Sequence, residues 1–168
     1  AAFEPSISVR LSTLSEDFTA EGIQLTSAVR AQELIPAPSP IAALLEIPTG
    51  ELILRLERLR SSEDGPVALL FNYVRRDLCP GIEDVDFVHR RLFDYLETDC
   101  RLVISHGRRT FNAAAAPKAV AEALQVRPST PIMYLEQITY LSDHRPVEYS
   151  DVWIHPERMR ISALLPRL

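Results

Sequence analysis

The sequence predicts an α+β fold, an antiparallel sheet flanked by helices, and three observations lead there. Strand-like runs come in pairs joined by short turns, at 52–75 and 131–155. Four separate helical patterns lie between or before them, and strands do not alternate regularly with crossover helices as a parallel sheet requires. At 168 residues the chain has the size of one domain, and a domain of about 150 residues buries roughly 70% of its unfolded surface without needing staples.

Residues 1–10 read as the end of an interdomain linker, extended and without helical periodicity, and 11–168 as the folded domain. A helix is predicted from Ser12, where Thr13 and Glu16 have the capping-box spacing and Gly22 is placed as a left-handed stop. An irregular strand follows over 23–35. Pro36, Pro38 and Pro40 break it, and Ser39-Pro40 opens a short helix through Glu46. Gly50 starts the first hairpin, whose turn at 62–65 contains Asp64-Gly65, with 67–75 returning. Pro80-Gly81 centres a loop over 77–85. Asp86 is then placed to cap a helix through Glu97 that buries Val88, Leu92, Phe93 and Leu96. A strand over 101–112 precedes a helix opened by Pro117, with Val120, Ala121 and Leu124 inward. The second hairpin turns at Ser142-Asp143-His144-Arg145, and 158–164 adds a short edge strand. No repeat with a period of 20 to 50 residues is visible.

The formal net charge of −5 argues against a nucleic-acid surface on this segment, because duplex binding needs concentrated basic charge. Lys118 is the one lysine among 18 basic residues. Cys79 and Cys100 are distant in sequence and lack a C-x-x-C partner, so neither a disulfide framework nor a zinc site is expected, and a reducing cytoplasm is the natural compartment. The start, AAFEPSISVR, lacks the basic and apolar regions of a signal peptide, and no apolar run approaches the roughly 20 residues of a membrane span.

Enzyme chemistry finds little support. The five glycines never cluster into a phosphate-cradling loop, and the four histidines show no metal-ligand spacing. Ser105 and His106 are neighbours on a predicted strand, where side chains point to opposite faces, so they do not read as a catalytic dyad. Glu83, Asp84 and Asp86 fit a solvated turn before a helix. Glu148 stands inside the apolar run RPVEYSDVWI. A charge there needs a partner, either a structural arginine or a ligand.

The first hairpin carries the most informative pattern. Along its first strand Leu52, Leu54, Leu56, Arg58 and Arg60 share one face, so an apolar floor runs into two guanidiniums. Paired Arg forks suit a carboxylate or phosphate. The alternative is a strand that simply emerges from the core with its last two arginines solvated.

Several segments in order, STLSEDFTAEG, ALLEIPTGELILRLERLRSSEDGPVALLFNYV, DLCPGIEDVDF, RRLFDYLE and APKAVAEALQVRPSTPIMYLEQITYLSDHRPVEYSDV, resemble the UTRA domain, the effector-binding domain of HutC/FarR-type GntR transcriptional regulators. The resemblance implies a chorismate-lyase-like fold, a homodimer, and an N-terminal winged helix-turn-helix domain, absent from this chain, through which alone DNA would be bound. It implies no enzyme activity, metal, cofactor or membrane partner. The rival reading is a lyase-like enzyme on the same fold. By the resemblance, the helix start at Thr13, Leu14 and Ser15 and the strand arginines Arg58 and Arg60 hold the anion of a small effector, and Glu148 matches a family glutamate. The departures matter too. Leu70 and Ile154 stand where many relatives carry Glu and Tyr, Arg91 stands where they carry Ser, and His155-Pro156-Glu157 replaces R-G-D. Leu70 therefore implies an effector with a less polar body, an organic acid, phosphonate or phosphate ester, and Arg91 adds a third positive charge.

Overall fold

A computed structural model of the chain describes Gly22, residues 24–162 and Arg167. Six strands, β1 (Thr26–Pro36), β2 (Leu52–Ser62), β3 (Gly65–Arg75), β4 (Ile104–Ala115), β5 (Pro131–Leu141) and β6 (Pro146–Ile154), form one antiparallel sheet in the order β1-β2-β3-β6-β5-β4. Three α-helices are described, α1 (Ser39–Leu45), α2 (Leu92–Thr98) and α3 (Lys118–Leu124). None of them is long and apolar enough to cross a membrane. The α+β class read from the sequence is the observed one. The helix expected from Ser12 lies outside the described residues, although Gly22 does adopt a left-handed φ of 72°.

The strand order is a palindrome, and the elements show why. β1-α1-β2-β3 and β4-α3-β5-β6 are two βαββ units of the same build, facing each other across the β3–β6 pair with Phe71 opposite Asp151 near its centre. Pro38 and Pro117 cap the two helices; Glu46 and Gln125 end them in left-handed conformation at φ 54° and 59°. Ile47 N–H and Val126 N–H then reach back to the carbonyls of Ala42 and Ala121, the C-terminal closure that consumes otherwise orphaned carbonyls. Ala37 and Ala116 repeat the same pair of backbone bonds, to Glu51 and Gly50 in one unit and to Thr130 and Ser129 in the other. The sequence reading found no repeat because this one is far longer than 50 residues and is carried by backbone roles more than by residue identity.

Both helices of the repeat cover one face of the sheet. Leu45 of α1 is buried with Ile53 and Tyr149, and Leu124 of α3 with Leu69 and Ile132. Each such burial contributes about 1.5–3 kcal/mol. The opposite face is covered by the segment between the two units, where Ile82, Phe87, Leu92, Tyr95 and Leu96 pack on Leu54, Leu56 and Val74. Farther along that face, Met159 packs with Val67, Leu135 and Ile154, and the buried His155 donates its backbone N–H to the Val67 carbonyl.

Several expectations need correction. The helix predicted from Asp86 starts at Leu92 instead. Asp86 does accept a backbone hydrogen bond from Val88, but it caps a turn, and Val88 is 47% exposed instead of buried. Cys79 and Cys100 are not unpaired: folding the intervening segment back brings their Cα atoms to 5.4 Å and joins the sulfurs. Ser105 Oγ and His106 Nδ1 lie 3.1 Å apart, because a bulge at that point of β4 breaks the alternation; both are exposed, and His106 stacks on Tyr140. The edge strand expected over 158–164 is reduced to isolated bridges at Met159 and Ser162, with 163–166 outside the described residues. The turn at Asp64-Gly65 is as expected. Gly65 has φ 116°, and a Cβ there would lie 2.8 Å from Arg158 Nη1, which donates to the Pro66 carbonyl at 3.0 Å.

Candidate functional site

Residues directly opposite one another in an antiparallel sheet share a face. Following the register from β2 to β4, one row runs Leu56, Asn72, Ser150, Gln137, Arg109 and the next runs Arg58, Leu70, Val152, Leu135, Phe111. Arg60 lies one step further on β2, opposite Ala68. A polar row and a mostly apolar row thus lie side by side, with Arg58 at the β2 end of the apolar one.

The polar residues form a buried chain of hydrogen bonds. Arg58 Nη2 donates to Asn72 Oδ1 at 2.7 Å, and Asn72 Nδ2 donates to Glu148 Oε1 at 2.8 Å. Thr139 Oγ1 donates to Glu148 Oε2 at 2.7 Å; Gln137 Nε2 donates to Thr139 Oγ1 at 3.3 Å, and Arg109 Nε donates to Gln137 Oε1 at 2.8 Å. The Asn72 amide has one orientation that serves this chain, since guanidinium can only donate and carboxylate can only accept. Glu148 therefore holds Asn72, and Asn72 holds Arg58. The sequence alternatives for Glu148 were an arginine salt bridge or a ligand. Among the described residues it is held by Asn72, Thr139 and Ser150, with the charge of Arg58 acting on it and no direct arginine salt bridge.

The electrostatics are uneven. Glu148 is 0% exposed, and burial raises its pKa, with hydrogen bonds from Asn72, Thr139 and Ser150 and the charge of Arg58 acting the other way. Arg58 is 7% exposed; burial first, then repulsion from Arg60, push its pKa down to about 10, against which Glu148 acts. Its Nε has no hydrogen-bond partner among the described residues. Arg60 is lowered as well, by burial and then by the charge of Arg91. Arg91 stands exposed at the N-cap of α2. The fold thus brings Arg91 into electrostatic range of Arg60, itself two residues from Arg58 on β2, so that along this series each guanidinium disfavours the next unless an anion intervenes.

Of the residues singled out from the sequence, Arg58, Leu70 and Glu148 share one sheet face with Arg60, and the charge of Arg91 acts on Arg60. Leu70 is buried directly opposite Arg58. Thr13, Leu14 and Ser15 lie outside the described residues. Sequence reasoning missed Asn72, Gln137, Thr139 and Ser150. A signal existed, since Asn72 interrupts the apolar run ALLFNYV on the same face as Leu70, and Gln137 and Thr139 do the same in LEQITYL.

Comparison with known proteins adds an independent line. The UTRA domain profile matches residues 20–160. The chain is similar to the HTH-type transcriptional repressor NagR of Bacillus subtilis (strain 168), 22% identical over 158 residues, which are 94% of this chain and 65% of the relative. It is similar to the HTH-type transcriptional regulator YurK of the same organism, 22% identical over 152 residues, 90% of this chain and 63% of the relative. The chain spans less of these curated relatives than they span of it. In fold it resembles the crystal structure of the effector domain of PhnF from Mycobacterium smegmatis, with TM-score 0.87 and 20% identity over 96% of this chain and 100% of that one.

Proposed function

Because the chain belongs to the UTRA domain family, we propose that it is the effector-sensing part of a GntR-type transcriptional regulator and that its effector is a small anion held by Arg58, Arg60 and Arg91. The relatives that support this reading are named HTH-type regulators. In the whole regulator, a separate N-terminal domain binds DNA, two copies pair, and effector binding shifts the arrangement that the linker transmits, in the cytoplasm where operators are met.

The observation that carries the reading is Arg58, a buried guanidinium whose Nε has no partner among the described residues, depressed in pKa by burial and by a second arginine. A bound anion offsets both effects. Leu70 beside it favours an effector with an apolar body, an organic acid, phosphonate or phosphate ester. Thr13, Leu14 and Ser15 complete the anion contact on this reading. A lyase would need an acid–base group free to face the ligand, and both oxygens of Glu148 are engaged with the protein.

Thermal shift against organic acids, phosphates, phosphonates and neutral sugars tests this. Anions alone should raise the melting temperature, since a ligand at 100 times its Kd adds about 2.7 kcal/mol to the native state. Arg60→Ala should abolish the shift. Equal stabilisation by neutral sugars, retained in Arg60→Ala, overturns the reading.

A further inference from the structure

We propose that Cys79 and Cys100 form a reversible thiol–disulfide site whose closure tightens the anion site; the inference rests on the anion reading above. The two residues bracket the segment that separates the βαββ units, Cys79 just after β3 and Cys100 just after α2, with Cα atoms 5.4 Å apart, within the range a disulfide accepts. That segment is the cover of the arginine face. Cys79 belongs to the same buried cluster as Leu54 and Leu56, which precede Arg58 on its own face, and as Leu92, which follows Arg91. Whatever fixes α2 on β2 therefore fixes Arg91 relative to Arg60, whose charges already act on each other. α2 has only seven residues. A helix that short depends on its packing and its tethers for stability.

The two sulfurs differ in access. Cys79 is buried while Cys100 is partly exposed. A small-molecule thiolate attacks the Cys100 sulfur; the Cys79–Cys100 bond breaks, and Cys79 leaves as thiolate and takes a proton from solvent. A second thiolate attacks the mixed disulfide and frees Cys100, so two small thiols are oxidised to one disulfide as the protein disulfide is reduced to two thiols. Opening removes a covalent constraint from 79–100 without touching any group that contacts the anion.

The test uses inorganic phosphate as probe on the chain oxidised with glutathione disulfide and then reduced with dithiothreitol, each state verified by thiol alkylation and mass. Phosphate affinity should fall about fivefold or more on reduction, the low end of couplings between sites, and return on reoxidation. A Cys79→Ala, Cys100→Ala variant should bind as the reduced chain does under both conditions. Hydrogen exchange over 80–99 should rise on reduction, which reports the opening even if the variant folds poorly. Equal phosphate affinity in both states overturns the proposal and leaves the anion reading standing, as does failure of the folded chain to form the bond in glutathione disulfide. Phosphate binding in neither state removes the anion reading, and the proposal with it.

Discussion

The two βαββ units place different chemistry on the same backbone. By the matched bounds of α1 with α3 and of β2 with β5, Arg58 occupies the place in the first unit that Gln137 occupies in the second, and Arg60 the place of Thr139. The second unit's side chains are neutral and bonded in sequence to one another and to Glu148. The first unit's are cations that repel each other, and Arg58 Nε has no hydrogen-bond partner among the described residues. The contrast within β2 is as sharp. Arg55, on the opposite face, meets Glu33 at 3.2 Å and Glu57 at 3.0 Å; burial works against its charge, but Glu57 and Tyr73 more than offset that. Backbone roles define the fold twice over. The unbalanced charge in one unit is what marks the candidate site.

Removing Glu148 should give the largest effect, because it anchors both units. In Glu148→Ala, Asn72 and Thr139 lose their acceptor and Arg58 loses an opposite charge that acts on it, and breaking a buried charged network of this kind costs about 3–5 kcal/mol. Glu33→Ala on the other face removes an acceptor that is itself 54% exposed, and should cost under about 1 kcal/mol. Urea denaturation of the two variants measures both. Similar losses would mean that the buried chain of hydrogen bonds is no more important than a surface ion pair.

The legibility of the molecule follows the same division. Elements announced by local chemistry were read correctly: the hairpins with Asp64-Gly65 and Asp143-His144 in their turns, and the helices opened by Pro40 and Pro117. Local chemistry also misled, since an aspartate at Asp86 caps a turn as readily as a helix, and α2 began later. Alternation alone places Arg58 and Arg60 on one face, whereas Leu70 enters only through the family resemblance and meets Arg58 through the register. Alternation could not give the cross-strand register that joins Asn72 to Glu148, nor the folding back of 79–100 that pairs the cysteines, because both are relations between distant segments. The duplication stayed hidden for a related reason: Arg58 and Gln137 share a backbone place and nothing else.

A smaller effect tests whether the units are equivalent in energy as in form. Glu46 and Gln125 end their helices with positive φ, which costs an L-residue about 1–2 kcal/mol that glycine avoids, offset by glycine's larger entropy loss. Glu46→Gly and Gln125→Gly should each stabilise the chain by about 0.5–1 kcal/mol. Lying on separate helices, they should add in the double variant. A gain in one unit and a loss in the other, read from chemical denaturation, would show that the matched backbone bonds conceal unequal strain.

The smallest effect is a pH dependence traceable to the buried carboxylate of Glu148. Burial raises the Glu148 pKa above its unfolded value of 4.5, so the folded chain keeps this proton where the unfolded chain has lost it. Folding then takes up a proton in the window above pH 4.5, and the contribution of Glu148 to stability declines as pH rises through it. Asp77 acts oppositely. Its hydrogen bond to Arg75 lowers its pKa below 3.8, so its contribution is present at neutral pH and is lost as pH falls through the folded value. Glu148→Gln cannot titrate yet retains an amide able to accept from Asn72. The stability of wild type minus that of Glu148→Gln, from calorimetric melting across pH 4 to 8, should therefore decrease with rising pH, while the Asp77 limb at acid pH is common to both and cancels. A difference that stays flat would mean that Glu148 is charged as easily inside the sheet as in water, and the contrast between its buried unit and the ion-paired face would lose its electrostatic basis.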